Sequence, residues 1–79
     1  MGEAINTNDF EVLCKENVRD IRGGRECYIY TDDVLNHTIE LLNNLRINYT
    51  VTKIMEGRNI FGYYRISSGG NNEIIVKYC

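Results

Sequence analysis

The chain contains no proline, no tryptophan and no glutamine, and only one alanine, Ala4, and one histidine, His37. No stretch approaches the roughly 20 apolar residues needed to span a bilayer. Met1-Gly2-Glu3-Ala4 opens no basic-then-apolar export signal, so a cytoplasmic protein with no membrane partner is expected. The single histidine leaves little room for acid–base or nucleophilic catalysis. No nucleophile–base motif surrounds Cys14, Cys27, Ser67 or Ser68. Ser67-Ser68-Gly69-Gly70-Asn71-Asn72 lacks the Lys-Ser/Thr ending of a phosphate loop, and Arg22-Gly23-Gly24-Arg25 reads as a helix stop. Cys14, Cys27 and Cys79 are odd in number and match no zinc or CxxC spacing. A Cys14–Cys27 bridge is the pairing to weigh, but without export, free thiols are expected. These absences point to a protein that is not an enzyme and uses no cofactor and no metal. Asn36-His37-Thr38 and Asn48-Tyr49-Thr50 are formal glycosylation sequons that arise by chance in such a chain.

What is present describes a single folded domain over 1–79, with 1–7 expected to fray. The 79 residues are 43% hydrophobic and 25% charged, with net charge −2, which is too apolar and too neutral for disorder. At 9.2 kDa the core is only just sufficient, so a partner or a second copy is the expected supplement. Asparagine and isoleucine number ten each. Like tyrosine and lysine they have AT-rich codons, and small AT-rich reading frames are frequent in phages, mobile elements and low-GC bacteria. Charge is uneven. Residues 1–40 carry nine acids against four bases, −5, and residues 41–79 carry five bases against two acids, +3. Such asymmetry can mark a face for an acidic partner.

Periodicity sets the element order. Over 8–21, Phe10, Leu13, Cys14, Val18 and Ile21 share one helical face, with Asn8 and Glu11 as a capping box and Gly23-Gly24 as a stop. Alternation of Phe10, Val12 and Cys14 makes a strand over 10–14 the rival pattern. Arg25–Tyr30 reads as a strand, and Thr31 or Asp32 as the next cap. Residues 33–46 read as a helix with an apolar stripe of Val34, Leu35, Thr38, Ile39, Leu41, Leu42 and Leu45. Ile47–Met55, Ile60–Ile66 and Glu73–Tyr78 read as strands, with a hairpin turn at Glu56-Gly57-Arg58-Asn59 and a loop from Ser67 to Asn72. The fold class expected is α+β: a two-layer sandwich in α-β-α-β-β-β order. Its mixed four-stranded sheet carries the helices on one face. A right-handed crossover would join the first two strands in parallel, and two antiparallel hairpins would follow.

Strand alternation then selects a candidate surface. With Cys27 and Ile29 toward the helices, Tyr28 and Tyr30 point away. Phe61, Tyr63 and Arg65 share one face of their strand, while Ile60, Gly62, Tyr64 and Ile66 share the other. Ile75 and Lys77 can join the first set. The result is an aromatic surface edged with bases. Asn59-Ile60-Phe61-Gly62-Tyr63-Tyr64-Arg65-Ile66 resembles the third-strand signature of RNA-recognition motifs, basic-Gly-aromatic-Gly-aromatic-aliphatic-x-aromatic, and Cys27-Tyr28-Ile29-Tyr30 loosely resembles their first-strand signature. That resemblance implies base stacking on the aromatics. Ile60 and Ile66 depart from the signature, and 67–72 is too short for that family's second helix. Tyr28-Ile29-Tyr30-Thr31-Asp32-Asp33 with the following helix and strand resembles the opening of glutaredoxin-like proteins. Asp32–Leu35 occupy the place of their thiolate, so only topology is implied.

Asp33, His37 and Glu40, with Asn44, fall within about 60° of arc on the second helix and form a second candidate surface. The function expected from these residues is protein binding through Tyr28, Tyr30, Phe61, Tyr63, Arg65 and Lys77. In its finer form this is a phage or mobile-element accessory factor that inhibits a host or defence protein in the host cytoplasm. A nucleic-acid or nucleotide binder using the same face, and a homodimer with a structural role, are the alternatives.

Overall fold

The computed structural model describes residues 7–55 and 62–78. The elements run α1 (Thr7–Arg22), β1 (Cys27–Ile29), α2 (Asp32–Asn44), β2 (Tyr49–Met55), β3 (Gly62–Ser68) and β4 (Glu73–Tyr78). Two helices pack against a mixed four-stranded sheet, the expected α+β arrangement. The 56–59 turn, Ile60, Phe61 and Cys79 lie outside the described residues. No helix among those described is long and apolar enough to cross a membrane.

Residues 8–21 are helical, not a strand, and α1 starts at Thr7, one residue before the expected cap. Its end is as the glycines indicate. Gly24 takes φ +83°, Arg25 N–H donates to Asp20 O at 2.8 Å, and Gly24 N–H donates to Ile21 O at 3.0 Å. That pair of bonds is a Schellman stop, which needs a left-handed residue at Gly24. Thr31 caps α2, its hydroxyl accepting from Val34 N–H at 3.4 Å. The same stop recurs at the end of α2, with Ile47 N–H to Leu42 O at 2.9 Å and Arg46 N–H to Asn43 O at 3.1 Å. There Arg46 holds the left-handed position, φ 59°.

The core lies between the helices and the sheet. Cys14, Ile21, Ile29, Leu42, Val51 and Ile66 are fully buried, each large aliphatic contributing about 1.5–3 kcal/mol by burial. On α1 the buried face is Cys14, Asn17, Val18 and Ile21, whereas Leu13 is exposed. The expected stripe therefore rotates, because α1 must also meet α2. There Asn17 Nδ2 donates to the buried Thr38 hydroxyl at 3.4 Å. Leu45, placed in the stripe of α2 by periodicity, is exposed as the helix ends.

The strand order is β1-β3-β2-β4. β1 and β2 are both antiparallel to β3 and hence parallel to each other, but β3 lies between them. The crossover through α2 thus skips one strand. The hairpin expected between β3 and β4 does not form, because β4 pairs parallel with β2 instead. The cause is the loop at 69–72, which wraps the start of β2. Gly69 N–H donates to Asn48 O, Asn72 N–H to Tyr49 O, Tyr49 N–H to Asn72 Oδ1 and the Thr50 hydroxyl to Gly69 O, all within 2.8–3.0 Å. Gly69, Gly70 and Asn72 all take positive φ, which carries the chain over β2 to its far side.

Candidate functional site

Paired residues in a sheet share a face, so the register fixes which side chains meet. One face carries Cys27, Ile29, Tyr64, Ile66, Tyr49 and Val51 and receives the helices. Tyr64 also donates to Asp32 Oδ1 at the start of α2, at 2.9 Å, and that hydrogen bond raises its phenol pKa. The other face carries Tyr28 opposite Arg65, Tyr63 opposite Ile54, and Arg65 opposite Thr52. Beyond β2 the same rows end in Ile75 and Lys77 on β4.

Three tyrosines form a cluster on this open face. The Tyr63 ring lies 6.0 Å from Tyr28 and 5.9 Å from Tyr30, tilted against both. Tyr30 is 72% exposed and Tyr28 49%, so the cluster is open to solvent. Glu26 organises its edge. Its carboxylate accepts from the Tyr28 hydroxyl at 3.1 Å and stands 4.0 Å from Arg65 Nε. The Tyr28 phenol is pushed up chiefly by that hydrogen bond. Thr52 and Ile54 form a closed floor between the tyrosines and β4. Among the described residues the charges on this face balance: Arg65 and Lys77 against Glu26 and Glu73.

The structure thus brings Tyr28, Tyr30, Tyr63 and Arg65 together. Lys77 shares the face but lies two strands away from Tyr63. Phe61 is outside the described residues. Glu26 was missed in the sequence. Its signal was available in the alternation Glu26, Tyr28, Tyr30, which puts the carboxylate on the aromatic side.

The second candidate surface divides. His37 turns into the α1–α2 contact, where its ring stacks on Phe10 at 5.4 Å and 30°. Its Nε2 contacts the Glu11 carboxylate, and its Nδ1 lies 3.2 Å from Glu40 Oε1. Asp33 and Glu40 stay exposed. This histidine therefore tethers two helices instead of presenting a surface. Among the described residues no group of three His, Cys, Asp or Glu side chains is placed to hold a metal. Cys14 and Cys27 are buried free thiols. Burial pushes the Cys14 thiol up, and burial with the nearby Asp20 pushes Cys27 up to about 11, so neither is a thiolate nucleophile at neutral pH.

Sequence reading also missed a groove of about 440 Å³ between the helices, floored by Val18, Leu41 and Leu45 and rimmed by Lys15, Arg19 and Arg22. The three bases fall at i, i+4 and i+7 on α1, hidden by the net acidity of that half of the chain. No protein-family model, curated protein or solved structure matches the chain.

Proposed function

We propose that the chain is a non-enzymatic protein-binding module whose contact surface is the sheet face built on Tyr28, Tyr30, Tyr63 and Arg65. The observation that carries this reading is an exposed tyrosine cluster on a sheet face that, among the described residues, no helix covers and whose charges balance. Tyrosine and arginine are the usual anchors of protein interfaces, because they combine large apolar area with a directional polar group. Arg65 is already oriented by Glu26, so it meets a partner with little ordering cost.

The adjacency of β1 and β3 favours a second reading, in which the same tyrosines stack bases as in RNA-recognition motifs. The carboxylates of Glu26 and Glu73 weigh against it, since phosphate binding needs unmatched positive charge. Salt separates the two. An aromatic protein interface is expected to keep its affinity between about 0.05 and 0.5 M salt, whereas a nucleic-acid complex loses orders of magnitude. Tyr63→Ala with Tyr30→Ala is expected to abolish binding under either reading, and unchanged binding by that double variant would remove both.

The finer reading is an accessory factor of a phage or mobile element that inhibits a host or defence protein. It is supported by the AT-rich residue usage. Co-expression with candidate host defence systems, scoring relief of defence by wild type but not by the tyrosine variant, tests it.

A further inference from the structure

β4 is unlike the other strands. All six of its residues are exposed. On the side that the helices cover elsewhere, Ile74 is 62% exposed, Val76 49% and Tyr78 75%. Among the described residues no strand pairs with its outer side. It therefore presents a row of unpaired N–H and C=O groups next to exposed aliphatic side chains. Its pairing with β2 is continuous over six residues, without a bulge or proline to twist it away. The opposite edge, β1, has three residues and packs against both helices.

We propose that β4 is the interface of a homodimer, in which two copies pair their β4 strands antiparallel about a twofold axis at Ile75 and form one eight-stranded sheet. The charges of β4 select both the occupant and the register. In a twofold antiparallel pair, facing residues lie on the same face of the sheet, so the axis passes midway between a residue and its own mate. An axis at Ile75 sets Glu73 opposite Lys77 of the second copy, and the same ion pair forms again across the axis. Ile74 then faces Val76 of the second copy on the other side of the sheet, and Ile75 faces its own mate. An axis at Ile74 would set Glu73 against Ile75, and one at Val76 would set Lys77 against Ile75. Only the central register matches both charges and both aliphatic rows. A heterologous strand has no such reason to fit a Glu–aliphatic–aliphatic–aliphatic–Lys pattern that complements itself when reversed. The pairing also covers Ile74, Ile75 and Val76, which are exposed in a single copy.

The proposal is independent of the tyrosine surface and adds geometry to it. A twofold axis perpendicular to the sheet keeps both tyrosine clusters on one side. The two β3 strands are then five strand spacings apart, about 24 Å at 4.8 Å each. A partner with two matching sites would be held bivalently.

Sedimentation equilibrium of the full chain tests this. Wild type is expected at twice 9.2 kDa. Glu73→Lys alone and Lys77→Glu alone set like charges opposite each other, and each is expected to weaken the dimer about tenfold or more. An equimolar mixture of these two single variants restores opposite charges at every position and is expected to dimerise. This rescue could not come from a variant that had failed to fold. Tyr63→Ala is expected to leave the mass unchanged. A mass of 9.2 kDa at concentrations up to about 1 mM overturns the proposal. So does a dimer insensitive to both charge reversals, or one that Tyr63→Ala dissociates.

Discussion

Arg46 holds a left-handed backbone conformation, φ 59°, that a residue with a Cβ adopts at a cost of about 1–2 kcal/mol. Glycine removes that strain but gains freedom in the unfolded chain. Arg46→Gly is therefore expected to stabilise the fold by a net of about 0.5–1 kcal/mol, read as a higher midpoint in urea, and Arg46→Ala is expected to give no such gain. Periodicity alone ran the helix to residue 46, because nothing in the identity of arginine marks a helix stop. Gly23-Gly24, which ends α1 by the same hydrogen bonds, was legible. Cys27 gives a second residue-scale test. Its thiol pKa in the fold is about 11 against an ordinary 9.0, so the unfolded chain ionises first as pH rises. Its contribution to stability is full below about pH 9 and is lost as pH climbs toward 11. Urea titrations at pH 8 and pH 10.5 are expected to show a smaller loss in Cys27→Ala than in wild type.

At the scale of the elements, the segments were legible but their neighbours were not. The strand limits at 55, 73 and 78 and the cap at Thr31 follow from β-branched runs and turn residues close to hand. The order β1-β3-β2-β4 depends on where a short loop carries the chain. Ser67–Asn72 read as a hairpin connection, yet its hydrogen bonds go to Asn48, Tyr49 and Thr50 at the start of β2. Gly70 is the tightest point of that wrap. It has φ +99°, and a Cβ there would overlap Thr50 Oγ1. Gly70→Ala is expected to cost about 1–3 kcal/mol. In a Thr50→Ala background the overlap with Oγ1 disappears, and the smaller remaining cost should reflect the backbone conformation and the close approach to the Cβ of residue 50. A double-mutant cycle by chemical denaturation measures this coupling. The same dependence on packing explains His37. Its place on a polar helical arc was readable from spacing, but its contacts with Glu11 and Phe10 depend on how α1 crosses α2.

For the molecule as a whole, one sheet face makes the core and the other makes the tyrosine surface, and the two should separate under mutation. Ile66 is fully buried, and Ile66→Ala is expected to cost about 2–5 kcal/mol. Tyr30→Ala and Tyr63→Ala are expected to change stability by only about 1 kcal/mol while removing binding. Alternation made this surface legible before the topology was known, since Tyr28, Tyr30, Tyr63 and Arg65 depend only on strand parity and on which face takes the helices. The exposed apolar edge was not legible. Ile74, Ile75 and Val76 belong to a strand whose place in the sheet depends on the 69–72 wrap, and only that order puts β4 outside the helical layer. The most direct test of the account immobilises the wild-type chain beside the Tyr30→Ala/Tyr63→Ala variant. Both are exposed to nuclease-treated extract of cells that naturally produce the chain, and washed at about 0.5 M salt. The account predicts a discrete protein retained by wild type and lost from the variant. Equal retention of that protein by the variant, or retention of nucleic acid alone in untreated extract, would contradict it.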